Sequence, residues 1–412
     1  MLLLGLSESR IQVNIITRRL SSGKSTFLNA ACLTNAEVSE IPFTTIEPNK
    51  GVAYVKTPCV CQEFNIDDNP KNSLCINGIR FIPINLLDVA GLVPDAHKGK
   101  GLGNQFLNDL SRADILIHIV DMTGSLDKSG NLIGSGENDP YEDIVFLERE
   151  IDLWFKDILK REDWERFARI FSKEKKGFIN ALAERLSGLK INKNQIKAAL
   201  KKSELEHKDL IDWTERDIEL YASNLRKISK PILVVGNKID KQISVKNYQI
   251  LKGKYENKII PASALAEYIL RKYDEESTIE YIPGSDDFKI INPNQLNNKE
   301  INTLGKIKIE LLEKFGGTGI QKVFEYALFD MMNQICVYPV SDVNKLTDNK
   351  GNVLPDVFLV QKGTLLKDFI RKKVHSELAD NFLYGVDARS KKRLSENYEL
   401  QNNDIIKIVS TK

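Results

Sequence analysis

Gly23, Lys24 and Ser25 match the end of the sequence pattern of a phosphate-binding loop. In the full pattern, G-x-x-x-x-G-K-[ST], backbone N–H groups hold phosphate oxygens, the lysine reaches the β- and γ-phosphates, and the hydroxyl binds Mg²⁺. Lys24 is therefore a candidate catalytic residue, and Ser25 is a candidate Mg²⁺ ligand. The leading glycine is missing, because that position holds Arg18. The residues predicted to bind nucleotide here are Ser21, Ser22, Gly23, Lys24, Ser25 and Thr26.

A second candidate motif, Asp88-Val-Ala-Gly91, follows the apolar segment "INLL". A carboxylate at the end of a strand can hold Mg²⁺ through water, and a glycine N–H can meet the γ-phosphate. Asp88 is therefore a predicted metal ligand and Gly91 a predicted catalytic residue. Leu92 stands where many GTPases carry the glutamine that orients the attacking water, so we expect slow turnover and include Leu92 in the catalytic set.

The sequence Asn237-Lys238-Ile239-Asp240 ends another apolar segment and predicts recognition of guanine. The Asp240 carboxylate can accept hydrogen bonds from guanine N1–H and the exocyclic amine, whereas adenine offers no such pair of donors. Asn237 would brace the loop, and the Lys238 stem would lie along the base. We therefore expect GTP or GDP first and ATP second.

Two further segments complete this order of motifs. Ser263 and Ala264, in "PASAL", could direct backbone N–H groups at the guanine O6. Thr44 and Thr45, between the first two motifs, are adjacent candidates for a threonine that closes on Mg²⁺ and the γ-phosphate, and we favour Thr45. The order of these motifs along the chain is that of a GTPase domain.

Alternating strands and helices must position these residues. Continuous apolar runs such as "ADILIHIVD" and "KPILVVG" are typical of buried parallel strands, so we predict an α/β fold with a mostly parallel sheet. Apolar residues at helical spacing between about residues 140 and 228 predict an all-helical insertion. Short strand-like pieces around one amphipathic helix, "LLKDFIRKKVHSELADN", predict a small C-terminal α+β module. The predicted domain bounds are 1–140 and 229–336 for the two parts of the α/β domain, 141–228 for the insertion and 337–412 for the module.

The composition fits a soluble globular chain, with 42% hydrophobic and 28% charged residues. The net charge of +2 indicates no strong overall attraction to nucleic acid or anionic lipid. No apolar run reaches the length of a membrane span, and "MLLLGL" lacks the basic leader of a signal peptide. We therefore expect a cytoplasmic monomer without a secreted disulfide framework and without a membrane partner.

Three of the five cysteines, Cys59, Cys61 and Cys75, are close together in the sequence. Their spacing is not that of a standard zinc knuckle. Two interpretations stay open: free thiols, or a structural zinc site if a fourth ligand comes from elsewhere.

"KFGGTGI", residues 314–320, invites interpretation as a second phosphate loop. It follows a helix rather than a strand. We therefore predict a glycine C-cap at Gly316 or Gly317, with Thr318 near the start of the next helix.

Longer segments of the chain closely resemble the Obg-like GTPases, in the YchF branch and its archaeal form. They are "IPFTTIEPNKGVAYV", "DVAGLVPDAHKGKGLGNQFLNDL" and "VYPVSDVNKLTDNKGNVLPDVFLVQKGT". The resemblance implies a P-loop GTPase domain, the helical insertion, and a ubiquitin-like TGS module at the C-terminus. It also implies nucleotide hydrolysis with Mg²⁺, contact with ribosomes, and a role in regulating translation or stress.

Basic clusters in the module, at Arg371 to Lys373 and at Arg389 to Arg393, are compatible with contact with rRNA or tRNA phosphates. We expect the helical domain to share such a contact. Acidic residues between them fit an ordinary solvated face equally well. Two alternative functions follow: a catalytically impaired nucleotide-binding adaptor, or an RNA- or ribosome-binding protein whose GTPase domain is a scaffold.

Residues 1 to about 20 do not resemble the family, whereas the similarity is strong from Ser21 onward. We hypothesise that this segment, including Arg18, arises from a shifted reading frame or a misassigned start. Resequencing the first part of the gene would test this.

Overall fold

A computed structural model describes the protein over residues 10–17, 22–32, 49–89, 109–127, 131–160, 163–172, 175–256 and 258–411. Arg18 and the other residues between these ranges lie outside the described structure.

A seven-stranded sheet forms the centre of the α/β domain, as the apolar runs predict. Its order is β2-β4-β1-β5-β6-β7, with β3 added beside β4. The strands β4, β1, β5, β6 and β7 are parallel to one another, and β2 and β3 are antiparallel to β4. Every residue of β5 and β6 is buried, because helices cover both faces. The strands are β1 Gln12–Ile16, β2 Asn49–Pro58, β3 Leu74–Ile76, β4 Ile79–Asp88, β5 Ile115–Asp121, β6 Ile232–Asn237 and β7 Ile259–Pro261.

The helices around this sheet fall between the strands and after them. In the described part of the chain, π-helical turns extend two of these helices, at Ile307–Leu312 and Tyr326–Met331, and one helix of the C-terminal module, at Ile370–Val374. The α-helices of the α/β domain are α1 Lys24–Ala31, α2 Cys61–Phe64, α8 Gln242–Lys254, α9 Ala264–Glu275, α10 Asn298–Lys306, α11 Glu313–Phe315 and α12 Ile320–Glu325. A two-stranded ribbon, β8 Ile279–Glu280 and β9 Lys289–Ile290, precedes α10.

Between β5 and β6 the chain forms the predicted helical region. It contains α3 Pro140–Lys160, α4 Trp164–Phe171, α5 Lys175–Arg185, α6 Lys193–Lys202 and α7 Glu215–Ser229. All three tryptophans of the chain, Trp154, Trp164 and Trp213, lie in its apolar core. The rings of Trp164 and Trp213 are 6.0 Å apart, and Trp213 meets Tyr221 edge-on at 5.2 Å. Tryptophan emission therefore reports on this region.

The C-terminal module is a five-stranded sheet in the order β11-β10-β14-β12-β13 with short helices. The prediction of one continuous helix for "LLKDFIRKKVHSELADN" is wrong, because the helix breaks at His375. His375 adopts an extended conformation, and its Nδ1 accepts a hydrogen bond from the Glu377 N–H, so a new helix starts there. The elements are β10 Gln334–Val340, β11 Phe358–Gln361, α13 Leu366–Phe369, α14 Ser376–Asp380, β12 Phe382–Asp387, β13 Arg393–Leu394 and β14 Asp404–Ser410.

The module shares a hydrophobic core with the α/β domain. Cys336, Tyr338 and Ile405 of the module belong to the same buried cluster as Phe27 and Ile84 beside the central sheet. Because this apolar surface is buried on both sides, the module is held against the domain by the same effect that folds each of them.

Thr214 caps α7 in the helical region, and its removal should destabilise that region. The Thr214 hydroxyl accepts from the Asp217 N–H at 3.3 Å, and the Thr214 N–H donates to Asp217 at 2.7 Å. We expect Thr214→Ala to lower the free energy of unfolding by about 1 kcal/mol, as for other lost N-caps. Denaturant unfolding followed by tryptophan emission measures this. Thr214→Ser keeps the hydroxyl and should behave as wild type; an equal loss in both variants would contradict the capping role.

Candidate functional site

The phosphate-binding segment connects β1 to α1. The Thr17 hydroxyl lies 2.8 Å from the Ser22 hydroxyl and donates to the Ile119 carbonyl at 3.0 Å, which fixes the loop to β5. Gly23 is the N-cap of α1, without a side-chain cap and without an acidic residue in the first turn. Among the described residues no side chain caps this helix, so its first N–H groups and the positive end of its dipole can face an anion.

Gly23 itself cannot be replaced without strain. Its φ is 89°, a left-handed conformation, and a Cβ atom there would come within 2.5 Å of Asn237 Nδ2. The second glycine of the motif is thus required both by the turn and by the close approach of a side chain from β6.

Asn237 joins the predicted phosphate side of the site to the predicted base side. Its Nδ2 donates to the Ser22 carbonyl at 2.9 Å, and its Oδ1 accepts from the Ala264 N–H at 3.1 Å. The residue is almost fully buried. A buried amide with both ends bonded fixes the distance between the two loops.

Lys24 and Asp88 lie together at the carboxyl ends of the parallel strands. Asp88 ends β4 and is paired in register with Ile15 of β1. The Lys24 ammonium forms an ion pair with Asp88 and also donates to the Val89 carbonyl. Ser25 follows on the exposed first turn of α1, and Thr26 is partly buried there.

Asp240 and Ser263 meet on the base side. The Ser263 hydroxyl donates to Asp240 Oδ1 at 2.7 Å and accepts from the Ala266 N–H at 3.3 Å, so it caps α9. Asp240 Oδ2 lies 3.3 Å from the Lys241 ammonium, and the Asp240 side chain is one-quarter exposed. A carboxylate held in this way can still accept donors from a ligand.

Lys238 is positioned by a residue that sequence reasoning missed. Its φ is 63°, and its ammonium lies 3.0 Å from Asp121 Oδ2 at the end of β5. Asp121 also accepts from the Thr123 N–H at 2.9 Å. The available signal was an aspartate directly after a buried apolar run, next to the strand that carries the guanine motif.

"KFGGTGI" has the predicted capping role. Gly316, at φ 66°, is the C-cap of α11, and its N–H donates to the Leu312 carbonyl at 2.8 Å. The segment also contacts the site, since the Thr318 carbonyl accepts from the Ser263 N–H at 2.9 Å. Gly319 passes so close that a Cβ atom would lie 2.1 Å from the Pro261 carbonyl oxygen. The sequence alone did not indicate this support.

A buried carboxyl group lies beneath this contact. Glu267 of α9 accepts from the Thr318 hydroxyl and, at 2.8 Å, from the Tyr281 hydroxyl. Complete burial raises the pKa of Glu267, against the opposing effect of these two donors. Arg271, one turn further along α9, donates to the Ala30 carbonyl of α1 at 2.8 Å. The base-side helix and the phosphate-side helix are therefore joined directly.

Four residues of the sequence-predicted site lie outside the described structure. The remaining predicted residues come together at the carboxyl ends of the strands, from the start of α1, the ends of β4 and β6, and the segments after β6 and β7. The four outside are Ser21, Thr45, Gly91 and Leu92.

The basic clusters of the C-terminal module are engaged in part with the protein itself. Arg371 lies 3.1 Å from Asp380, Arg389 contacts Glu63 of the α/β domain at 2.7 Å, and the Arg393 guanidinium lies 4.3 Å from the centre of the Tyr384 ring. Lys372 and Lys392 are exposed.

Three family models match successive parts of the chain. Residues 15–148 match the family described as 50S ribosome-binding GTPase. Residues 235–342 match the family described as Obg-like GTPase YGR210-like, G4 motif-containing domain. Residues 347–410 match the TGS domain.

Similar proteins span almost the whole chain. The sequence is 45% identical over 390 residues to a GTP-binding protein of Methanocaldococcus jannaschii, which covers 94% of this chain and 96% of that protein. The crystal structure of a GTP-binding protein from Pyrococcus horikoshii is 37% identical, with a TM-score of 0.74 over 97% of this chain and 100% of that one. The YchF GTPase of Schizosaccharomyces pombe shares the fold, at 16% identity and a TM-score of 0.54, over 97% of this chain and 98% of that one.

In the described part of the chain, the helices are all too short or too polar to cross a membrane.

Removal of the Asn237 amide should weaken nucleotide binding. Asn237→Ala deletes one hydrogen bond to each loop, each worth about 1 kcal/mol, so we expect affinity for GDP to fall about tenfold or more. Calorimetric titration measures the change.

Asn224→Ala is a matched control, because Asn224 is a buried amide bonded to Ser203 at 2.9 Å in the helical region. It should cost stability without changing affinity. Equal affinities of the Asn237 variant and wild type would refute the bridging role.

Proposed function

Since the chain belongs to the Obg-like GTPase family, in its YchF branch, we propose that it is a slow, Mg²⁺-dependent GTPase that associates with the ribosome. In this role it would regulate translation or a stress response. The observation that carries the proposal is the set of contacts made by Asn237 and Asp240, which supports a guanine site joined to a phosphate site. The domain division at residues 140, 228 and 336 is part of the same proposal.

The contacts on the phosphate side of the site support binding of a nucleoside triphosphate. Lys24 is paired with Asp88, so its charge is balanced by a neighbour. When a triphosphate enters, the ammonium exchanges this carboxylate for phosphate oxygens, which carry more negative charge. The exposed N-terminus of α1 and the small residues around Gly23 fit the same anion.

The oxygen donors here suit a hard divalent cation. Asp88, Ser25 and Thr45 would hold Mg²⁺, which prefers carboxylate, hydroxyl and phosphate oxygens. The ion would offset charge on the β- and γ-phosphates as the terminal phosphoryl group transfers. Release of Asp88 by Lys24 makes the carboxylate available for this purpose.

Slow turnover follows from Leu92, since an aliphatic side chain can neither accept from nor donate to the attacking water. Gly91 would offer its N–H to the γ-phosphate. ATP is a second substrate to compare, and the base side disfavours it because adenine lacks the donors that Asp240 accepts.

The ribosome is proposed as partner on the strength of the matched family descriptions and the exposed lysines of the TGS domain, with rRNA or tRNA phosphates as the contacted groups. The helical region would share this contact. That the protein is cytoplasmic is also part of this proposal. We expect the chain to act as a monomer.

The main alternative is a nucleotide-binding adaptor with impaired catalysis. The observation that favours it is Arg18, which replaces the leading glycine of the phosphate loop.

Asp240→Asn should change the base preference of the site from guanine to xanthine. Asparagine retains an oxygen for the Ser263 hydroxyl but presents an N–H donor, which suits the C2 carbonyl of xanthine and not the amine of guanine. We expect affinity for GTP to fall at least tenfold and affinity for xanthosine triphosphate to rise, measured by calorimetric titration. Asp139→Asn, a surface change, should leave both unchanged. Preference for ATP over GTP in wild type would overturn the guanine assignment.

Lys24→Ala should reduce phosphate release from GTP at least tenfold, because the P-loop lysine stabilises charge on the transferred group. The measurement is steady-state phosphate release with Mg²⁺, and Lys362→Ala in the C-terminal module is the matched control. Equal rates in wild type and Lys24→Ala would favour the impaired adaptor.

Co-sedimentation with ribosomes tests the proposed partner. Binding should weaken as salt increases, and no binding at low salt would remove the ribosome from the proposal.

A further inference from the structure

Four potential metal ligands gather at the edge of the central sheet far from the nucleotide site. Cys59 follows β2, Cys61 starts α2, Asp68 lies in the connection after α2, and Cys75 lies in β3. Their sulfur and carboxylate oxygen atoms all lie within 4.8 Å of one another. The structure thus supplies a fourth candidate ligand that the cysteine spacing alone did not reveal.

The distances within this cysteine cluster (Cys59, Cys61, Asp68 and Cys75) fit a shared ion. The sulfur atoms of Cys61 and Cys75 are 3.8 Å apart. Two sulfurs bound to one tetrahedral zinc at about 2.3 Å each are separated by about 3.8 Å. A disulfide would require about 2.05 Å. Cys59 Sγ lies 3.1 Å from Asp68 Oδ2, so the second pair of ligands is also adjacent.

Arg80 of β4 completes the surroundings of the cluster. It is fully buried, and it donates to Asp68 Oδ2 at 2.6 Å and to Cys59 Sγ at 3.3 Å. Three thiolates and a carboxylate carry more negative charge than one divalent cation offsets. A buried guanidinium that contacts two of the ligands balances part of the remainder and orients them.

We propose that Cys59, Cys61, Asp68 and Cys75 bind one structural Zn²⁺ ion. Thiolates select zinc over the hard cations Mg²⁺ and Ca²⁺, which prefer oxygen. Four protein ligands leave no position for substrate, so the site is structural and distinct from the nucleotide site.

The ion fixes the segment by which the α/β domain holds the C-terminal module. Two asparagines between Asp68 and Cys75 contact the module. The Asn69 N–H donates to the Val353 carbonyl at 3.1 Å, and the Asn69 Oδ1 accepts from the Val353 N–H at 2.5 Å. The Asn72 Oδ1 accepts from the Val357 N–H at 3.0 Å, and the Asn72 Nδ2 donates to the Val357 carbonyl at 2.9 Å. A segment anchored by metal ligands before and after these contacts keeps them in register. Loss of the ion should therefore loosen the module.

The test uses the full chain. Purified wild type should contain one Zn²⁺ per chain by mass spectrometry of metals. After removal of zinc by a chelator, added Co²⁺ should give the sulfur-to-cobalt charge-transfer absorption of tetrahedral thiolate coordination. Hydrogen exchange at the amides of Val353 and Val357 should accelerate in the zinc-free protein and slow again when zinc is restored. None of these three readouts depends on nucleotide hydrolysis.

Variants assign the ligands. Cys61→Ser and Cys75→Ser should lose the bound zinc, and Asp68→Ala should weaken it at least tenfold. Cys32→Ser, a buried thiol outside the cluster, should retain it. Hydrogen exchange across the central sheet verifies that each variant is folded, and the wild-type measurements stand if a variant is not.

Three results would overturn the proposal. One is wild type without zinc and without the cobalt band. Another is wild-type zinc content in both Cys61→Ser and Cys75→Ser. The third is recovery of a Cys61–Cys75 disulfide in place of metal when zinc is supplied.

Discussion

The side-chain amide of Asn237 is the interaction on which the site depends. It is the point where the phosphate loop and the base-side loop touch, through Ser22 and Ala264. Gly23 must be a glycine partly because this amide lies so close to it. A ligand that contacts both loops therefore meets a preformed spacing and spends little of its binding energy on ordering them.

A second layer supports this spacing from below. Thr318 holds Ser263 through its carbonyl and Glu267 through its hydroxyl, so one residue anchors both the loop and the helix behind it. Arg271 joins the same helix to the end of α1 through its hydrogen bond to the Ala30 carbonyl. Each contact satisfies a buried polar group, and removal of one partner would leave the other uncompensated. This explains why a glycine-rich segment that caps a helix also lies beside the site.

The strands and the motif residues could be predicted because their signals are local: buried apolar runs of strand length, each followed by a polar residue. Asp121 carries this local signal, but its pairing with Lys238 and the role of Thr318 could not be assigned from it, because both arise from contacts with residues more than fifty positions away. Asp68 was missed for a different reason: it lies only nine positions from Cys59, but an aspartate in a loop has no pattern that marks it as a metal ligand. The break at His375 was missed because a single side-chain hydrogen bond overrides a good helical pattern.

Strand β4 connects the two halves of this molecule. Its last residue, Asp88, lies in the nucleotide site, and Arg80 near its start lies against Asp68 and donates to the Leu354 carbonyl of the C-terminal module at 3.3 Å. At about 3.3 Å per residue the two side chains are separated by roughly 26 Å of one strand. A strand paired on both sides cannot slip by one residue without moving its buried face into solvent. The sheet therefore holds the docking segment and the nucleotide site in a fixed relation, and the module is carried as a part of the α/β domain and not as a tethered appendage.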